Sequence, residues 1–336
     1  MKFMRSLFPF LLPVVLLLSW QCQLKPGQPP DEVTLQLKGI HQAQFAGFYL
    51  AQEKGYYSQE NIRVTFLEGE KDLAIVQRVV YGPADFGVIA PEFILMARSQ
   101  GQTVKAIAAI YRQSPIVYVA MSDSGIVRPR DFLGKTVATL DASRSQQDLQ
   151  VQFYIMLKRL GLDVSTMKLI AWDPVYTTFY DGEADITSCY SNIGLIEMKQ
   201  KGLKLNLIWP SDYGAYFYSD MVVTSDRLIA ENPGLVTRFL RATLRGWQDA
   251  IEDYQQAVPV ILKYARNKDP QLQAAMMESQ LPLVHTGEDH IGWMRAEDWQ
   301  AMYKLLQDND LLTKPLDVNL SYTMRFLEEI YGRGAR

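Results

Sequence analysis

Histidine and cysteine are the scarcest reactive residues of this 336-residue chain, at three and two. One cysteine, Cys22, follows the N-terminal apolar run and the other, Cys189, lies far downstream, so one mature copy can build neither a disulfide framework nor a cysteine-based zinc site. The run from His285 to His290 holds the only cluster of metal-ligand residue types. Its histidines are five apart, whereas stacking on one helix face needs i and i+4, so it reads as a solvated loop and no metal is expected. GxSxG, Walker, GxGxxG and HExxH patterns are all absent, which removes the common hydrolase, nucleotide and zinc-protease readings. Positive charge is not in excess. Thirty-four Lys and Arg against 37 Asp and Glu leave a net charge of −3, which argues against nucleic acid and supplies no basic patch for anionic lipid. No long apolar run occurs after the first two dozen residues, so the mature part is not expected to span a membrane.

Those first residues are built differently. Lys2 and Arg5 precede an apolar run from Phe8 to Leu18, followed by Ser19-Trp20-Gln21-Cys22. This is the layout of a secretory signal, and the run is too short to cross a hydrocarbon core of about 30 Å. Residues 1–21 are expected to be a signal peptide. Cys22 stands where a bacterial lipoprotein keeps its acylated cysteine, and residues 22–31 would form a lipid-anchored tether. Leu18 and Ser19 suit such a site, whereas Gln21 stands where Gly, Ala or Ser is usual. The alternative is a signal peptide followed by an incidental cysteine.

Hydrophobic periodicity in the remainder alternates strands with helices, the pattern of layered α/β lobes. Strands are predicted at Val33–Leu37, Val64–Leu67, Phe86–Ile89 and Val104–Tyr111, with helices at Gln44–Lys54, Asp72–Tyr81 and Pro91–Gln100 between them. A second series follows, with strands at Thr136–Leu140, Lys168–Trp172, Ile186–Tyr190 and Lys204–Trp209 and helices at Ser145–Leu160, Pro174–Tyr180 and Ile193–Lys201. Tyr81-Gly82-Pro83-Ala84-Asp85-Phe86 in the first series is echoed by Asp181-Gly182-Glu183-Ala184-Asp185-Ile186 in the second, through either an internal repeat or shared turn chemistry. Two extended segments, Ile116–Met121 and Met221–Thr224, read as crossovers, and the chain beyond them is mostly helical. The expected fold class is therefore α/β, a two-lobed periplasmic-binding-protein-like fold (type II) with a hinge between lobes. Lobe 1 would comprise residues 32–113 plus 219–336, and lobe 2 residues 114–218.

Ligands of open α/β sheets bind beyond the carboxyl ends of the strands, and two facing lobes would put two such edges across one cleft that closes on its ligand. The segments predicted there carry aromatic rings and single polar groups, which suit a flat ligand with edge donors and acceptors. Gln44, Phe45, Tyr49 and Glu92 are the candidates from one side, and Trp172, Asp173, Tyr190 and Asn192 from the other, with Tyr213 and Tyr216 in the return crossover. About half of the aromatic residues in these segments should be core instead, Phe48 and Phe179 among them. His41, in a strand-to-helix loop, could hydrogen-bond within the loop or touch ligand.

The segment His41-Gln-Ala-Gln-Phe-Ala-Gly-Phe-Tyr-Leu-Ala-Gln-Glu-Lys-Gly-Tyr-Tyr57 resembles the opening of substrate-binding proteins of ABC importers, in the branch that handles thiamine-pyrimidine precursors (SsuA/ThiY-like). Gly82-Pro-Ala-Asp-Phe-Gly87, Ser114-Pro115, Asp131-Phe-Leu-Gly-Lys135, Asp212-Tyr-Gly214, Tyr218-Ser-Asp220 and Asn232-Pro233 follow in that branch's order. The resemblance spans about Val33 to Ala257. It implies a binding protein on the extracytoplasmic face of the membrane that delivers a small molecule to a separate permease and ATPase, with no resident cofactor. Members that bind an aminopyrimidine tend to carry Asn-Glu-Pro after the second-lobe strand, where this chain has Asn192-Ile193-Gly194. Ile193 cannot accept a hydrogen bond from an exocyclic amine, and an unmet buried donor costs about 1–3 kcal/mol. An isoalloxazine has no such amine and has an apolar dimethylbenzene end, so the expected ligand is riboflavin, with formylaminopyrimidine as the alternative. Two other classes stay open. A fungal pyrimidine synthase shares the implied fold and uses a cysteine-rich motif where this chain has only Ser188-Cys189-Tyr190, and a sensor could present its closed form to a membrane receptor.

Overall fold

The structure, a computed structural model, describes residues 29–69, 72–140, 147–287 and 289–332. The expected signal segment, the lipidation residue Cys22, most of the tether, Ser145 and Glu288 lie outside the described residues.

Among the described residues ten strands build two five-stranded sheets. The first contains β1 (Asp31–Gln36), β2 (Ile62–Leu67), β3 (Phe86–Ile89), β4 (Val104–Tyr111) and, from much later in the chain, β10 (Ser219–Ser225), in the order β2-β1-β3-β10-β4. The second contains β5 (Ile116–Met121), β6 (Thr136–Leu140), β7 (Lys168–Ala171), β8 (Ile186–Tyr190) and β9 (Leu205–Ile208), in the order β7-β6-β8-β5-β9. Each sheet takes its one antiparallel strand in the same place, β10 between β3 and β4, and β5 between β8 and β9. This is the two-lobed α/β architecture with a double crossing between lobes.

Local chemistry explains the layout. The central strands β3 and β10 are buried along their whole length, as strands covered on both faces must be, and apart from Asp220 their residues are correspondingly apolar or small. Edge strand β2 opens instead with buried Ile62 and Val64 alternating with exposed Arg63 and Thr65. The echoed turns do the same work in both lobes. Asp85 Oδ2 accepts from the Thr34 backbone N–H at 2.8 Å and the Asp85 N–H returns to the Thr34 carbonyl, while Asp185 repeats both bonds with Thr136. Each aspartate ties the start of its own strand to the neighbouring strand, so the echo is an internal structural repeat.

Helix Pro233–Glu252 opens on Asn232, whose side chain accepts from the Leu235 N–H, and has Pro233 at its first position. Its apolar face covers the first sheet, and Phe239 stacks on Phe86 with ring centroids 3.8 Å apart. It crosses helix Ala46–Glu53 at Gly246 and Gly47. A Cβ on Gly246 would stand 2.1 Å from the Gly47 carbonyl oxygen, so the crossing exists only because neither residue has a side chain.

The expected helix over Pro174–Tyr180 shrinks to one turn, Thr177–Tyr180. Asp173 causes this, because its Oδ1 accepts from the N–H groups of Val175 and Thr177, and Tyr176 takes a left-handed φ of 59°. The start of the first expected helix is a tight turn over Ala43–Phe45, and two short helices, Tyr56–Gln59 and Asp226–Glu231, were not anticipated. Among the described residues no helix is long and apolar enough to cross a membrane.

Candidate ligand cleft between the lobes

The carboxyl ends of β1 and β2 face those of β7 and β8 across a cavity of about 500 Å³. Lys38, Gly39 and Gln44 line it from the first lobe, and Trp172, Tyr176, Tyr190 and Ile193 from the second. The rings are held, not loose. Trp172 Nε1 donates to the Ser188 carbonyl at 2.6 Å, and the Tyr176 ring meets the indole edge-on at 5.8 Å. Gly194 permits this, since a Cβ there would lie 2.0 Å from the Tyr176 hydroxyl oxygen. Glu197, one helical turn beyond Ile193, completes the wall, and burial holds its carboxyl above the usual carboxylate range.

A polar network joins the lobes at one end of this cavity. Lys38 Nζ donates to the Tyr190 hydroxyl at 2.7 Å and to Asp148 Oδ2 at 3.1 Å, and stands 3.7 Å from Asp220 Oδ1. The Tyr190 hydroxyl donates in turn to Asp148, and Gln44 Nε2 donates to Asp220 Oδ2 at 2.7 Å. Asp220 is 1% exposed and adopts φ 46°, a left-handed conformation unfavourable for a non-glycine residue. Burial pushes its carboxyl up, and the Lys38 ammonium opposes that.

Buried side-chain bonds also cross between the lobes. Gln152 Nε2 donates to Glu92 Oε1 at 2.8 Å, and Asn192 Nδ2 donates to the Tyr111 hydroxyl at 2.9 Å. Glu92 is fully buried at the start of helix Pro91–Ser99, and desolvation followed by the nearby Asp148 carboxylate pushes its pKa up to about 8. Glu92 Oε2 and Asn192 Oδ1 are buried without a hydrogen-bond partner.

Of the residues singled out from the sequence, Gln44, Trp172 and Tyr190 line the cavity, while Glu92 and Asn192 sit in these interlobe bonds. The other five lie outside that lining and those bonds. Phe45 is fully buried and its ring lies beneath Gly39, behind the lining. Tyr49 is core, stacked on Tyr264 at 4.3 Å and bonded through its hydroxyl to His41 Nδ1. Asp173 spends its carboxylate on the turn that follows it. Tyr213 lies in the return crossover, where its carbonyl accepts from Arg159, and Tyr216 is 65% exposed at a second cavity on the hinge. Phe48 and Phe179 are core as expected.

The second cavity, also about 500 Å³, is lined by Arg112, Ser114, Tyr216, Tyr218, Arg295 and Asp298. Residues 112–114 of its lining join the end of β4 to the start of β5, so it sits at a crossing between the sheets, and Asp289 receives both Arg112 and Arg295. That contact also gives Asp289 of the His285–His290 segment a structural role, as does the stacking of His290 on Tyr331 at 4.3 Å. His41 serves its loop. Its carbonyl accepts from Arg266, its N–H donates to Glu68, and burial lowers its pKa. Lys38, Asp148, Asp220 and Tyr176 escaped the sequence reading. The signal that could have found Lys38 is its position directly after the first strand, at the carboxyl edge where ligands bind.

Comparison with known proteins places these observations. The family described as NMT1/THI5 like matches residues 42–257. The chain is similar to the riboflavin-binding protein RibY of Chloroflexus aurantiacus, at 27% identity over 88% of this chain and 86% of that one. It is similar to a formylaminopyrimidine-binding protein of Halalkalibacterium halodurans, at 24% identity over 93% and 96%, and to a 4-amino-5-hydroxymethyl-2-methylpyrimidine phosphate synthase of Legionella pneumophila, at 22% over 89% and 93%. Among solved structures, the alkanesulfonate-binding protein SsuA of Xanthomonas axonopodis pv. citri matches with a TM-score of 0.67 at 14% identity, over 88% of this chain and 99% of that one.

Proposed function

We propose, from the premise that the chain belongs to the NMT1/THI5-like family, that it is an extracytoplasmic substrate-binding protein of an ABC importer. It captures a vitamin-type heterocycle between its lobes and passes it to a permease and ATPase. Riboflavin is the ligand we favour. The observation that carries this choice is the wall formed by Ile193 with Trp172, Tyr176 and Tyr190, an apolar patch among ring faces where aminopyrimidine binders tend to place a carboxylate. Such a wall suits the dimethylbenzene end and large face of an isoalloxazine. Gly194 belongs to the same arrangement, because a proline there could not coexist with Tyr176 in its present position.

Glu197 favours a second reading. Its carboxyl stands in the same wall one turn beyond Ile193 and could accept from an exocyclic amine, as formylaminopyrimidine would require. Calorimetric titration with both compounds separates the readings. Riboflavin binding with quenching of flavin fluorescence by the Trp172 indole supports the first, and heat from formylaminopyrimidine alone overturns it.

A synthase reading draws on the Legionella relative. The one described cysteine, Cys189, is fully buried in β8 and its thiol is pushed up by desolvation, so it is neither nucleophilic nor presented to the cleft. This supports capture over chemistry. Incubating the protein with riboflavin or formylaminopyrimidine and recovering the compound unaltered is the expected result, and a transformed product would refute it. We further propose that Cys22 carries the lipid that holds the protein at the membrane surface. A Cys22→Ser variant should then leave the membrane fraction, and unchanged retention would refute acylation.

A further inference from the structure

We infer that the cleft selects the unphosphorylated form of its ligand, an uncharged hydrogen-bond-donating heterocycle, and discriminates against the anionic phosphate ester. The inference rests on the binding reading above and specifies its substrate class.

Lys38 is the single basic side chain in the described lining of the cavity. Its ammonium already lies against Asp148 at 3.1 Å and Asp220 at 3.7 Å, so its charge is offset from both lobes before any ligand arrives. Glu197 adds a third carboxyl on the opposite wall. An incoming anion would find no unmatched positive charge on these groups and would meet like charge in a partly desolvated space, where screening is weak. An unpartnered polar atom points the same way. Asn192 is 1% exposed, and its Oδ1, which can only accept, has no hydrogen-bond partner. An unsatisfied acceptor at the lobe junction calls for a ligand with N–H or O–H groups, not for one with further anionic oxygens. The fold does not impose this preference, since a structural neighbour is an alkanesulfonate-binding protein. The side chains at the strand ends impose it.

Two matched pairs test the inference on the full-length mature protein: riboflavin with riboflavin 5′-phosphate, and 4-amino-5-hydroxymethyl-2-methylpyrimidine with its phosphate. Within whichever pair binds, the ester is expected to bind at least about a hundredfold more weakly, the penalty of setting like charges a few ångströms apart at low screening. A phosphate ester that binds as tightly as its alcohol overturns the selectivity and leaves the binding-protein reading standing. Failure of all four compounds and of formylaminopyrimidine overturns both together. Glu197→Lys reverses the sign of one wall and should narrow the gap between ester and alcohol at least about tenfold. An unchanged gap in that folded variant would refute the electrostatic cause, and should the variant not fold, the wild-type pairs decide alone.

Discussion

Replacing Glu92 by glutamine should make the protein more stable, by an amount that grows with pH. Glu92 is fully buried at the lobe junction and holds its proton up to a pKa of about 8, against an ordinary value of 4.5. Below pH 4.5 the carboxyl is protonated in both folded and unfolded chains and contributes no pH-dependent term. Between 4.5 and 8 the unfolded chain ionises and the folded one does not, so each pH unit costs the folded state about 1.4 kcal/mol. That stability is fully present below pH 4.5 and lost as pH rises towards 8, a total on the order of 4–5 kcal/mol, of which about 3 is gone by pH 7. Glutamine keeps an acceptor for Gln152 Nε2 and cannot ionise. The difference in stability between Glu92→Gln and wild type, followed by urea or thermal denaturation from pH 5 to pH 8.5, should therefore climb with pH. Titration of groups remote from Glu92 largely cancels in that difference. A gap that stays flat across this range, or one that favours wild type at the alkaline end, would show that Glu92 is solvated or ionised in the folded protein.

Other perturbations act on single contacts. Gly246→Ala drives a methyl group into the Gly47 carbonyl and should cost about 1–3 kcal/mol, read as a lower melting temperature, with no change in fold by circular dichroism. Arg112→Met strips one guanidinium from buried Asp289 and should cost about 3–5 kcal/mol in urea denaturation, well beyond the about 1 kcal/mol of a surface pair. Ile193→Glu should weaken riboflavin binding at least about tenfold by placing a carboxylate against the apolar ring edge, and fluorescence titration measures it. Trp172→Ala should remove most of the flavin quenching while leaving the β7–β8 region folded, because the indole makes only one hydrogen bond, to the Ser188 carbonyl.

Much of the architecture was legible because many of the strands are short, largely apolar or small-residue runs bounded by turn residues. Phe86–Ile89, Val104–Tyr111, Ile116–Met121, Thr136–Leu140 and Ile186–Tyr190 were each predicted to the residue. The echoed Ala-Asp turns were visible too, although only the paired bonds of Asp85 with Thr34 and Asp185 with Thr136 show what they do. The cleft was legible in part. Position after a strand was enough to single out Trp172 and Tyr190, since the end of a strand has one place to go. It did not serve for Phe45 and Tyr49, because helix Ala46–Glu53 is buried from Ala46 to Ala51 and has no solvent face to orient it. Nor could sequence reveal Lys38 meeting Asp148 and Asp220, groups separated by more than a hundred residues with no local pattern that pairs them. Asp173 was misread for the opposite reason, a purely local bond that outcompeted both helix and cleft.

The position of β10 has a consequence for how the polypeptide matures. Within the first sheet β4 pairs only with β10, and β3 takes β10 on its other side, so that sheet has a gap at its centre until residues 219–225 have left the ribosome. The second sheet needs nothing beyond Ile208. The unit begun second during translation is thus the first whose strand set is complete, and the N-terminal half waits, with the edges of β3 and β4 uncovered, for a strand that arrives some hundred residues after β4.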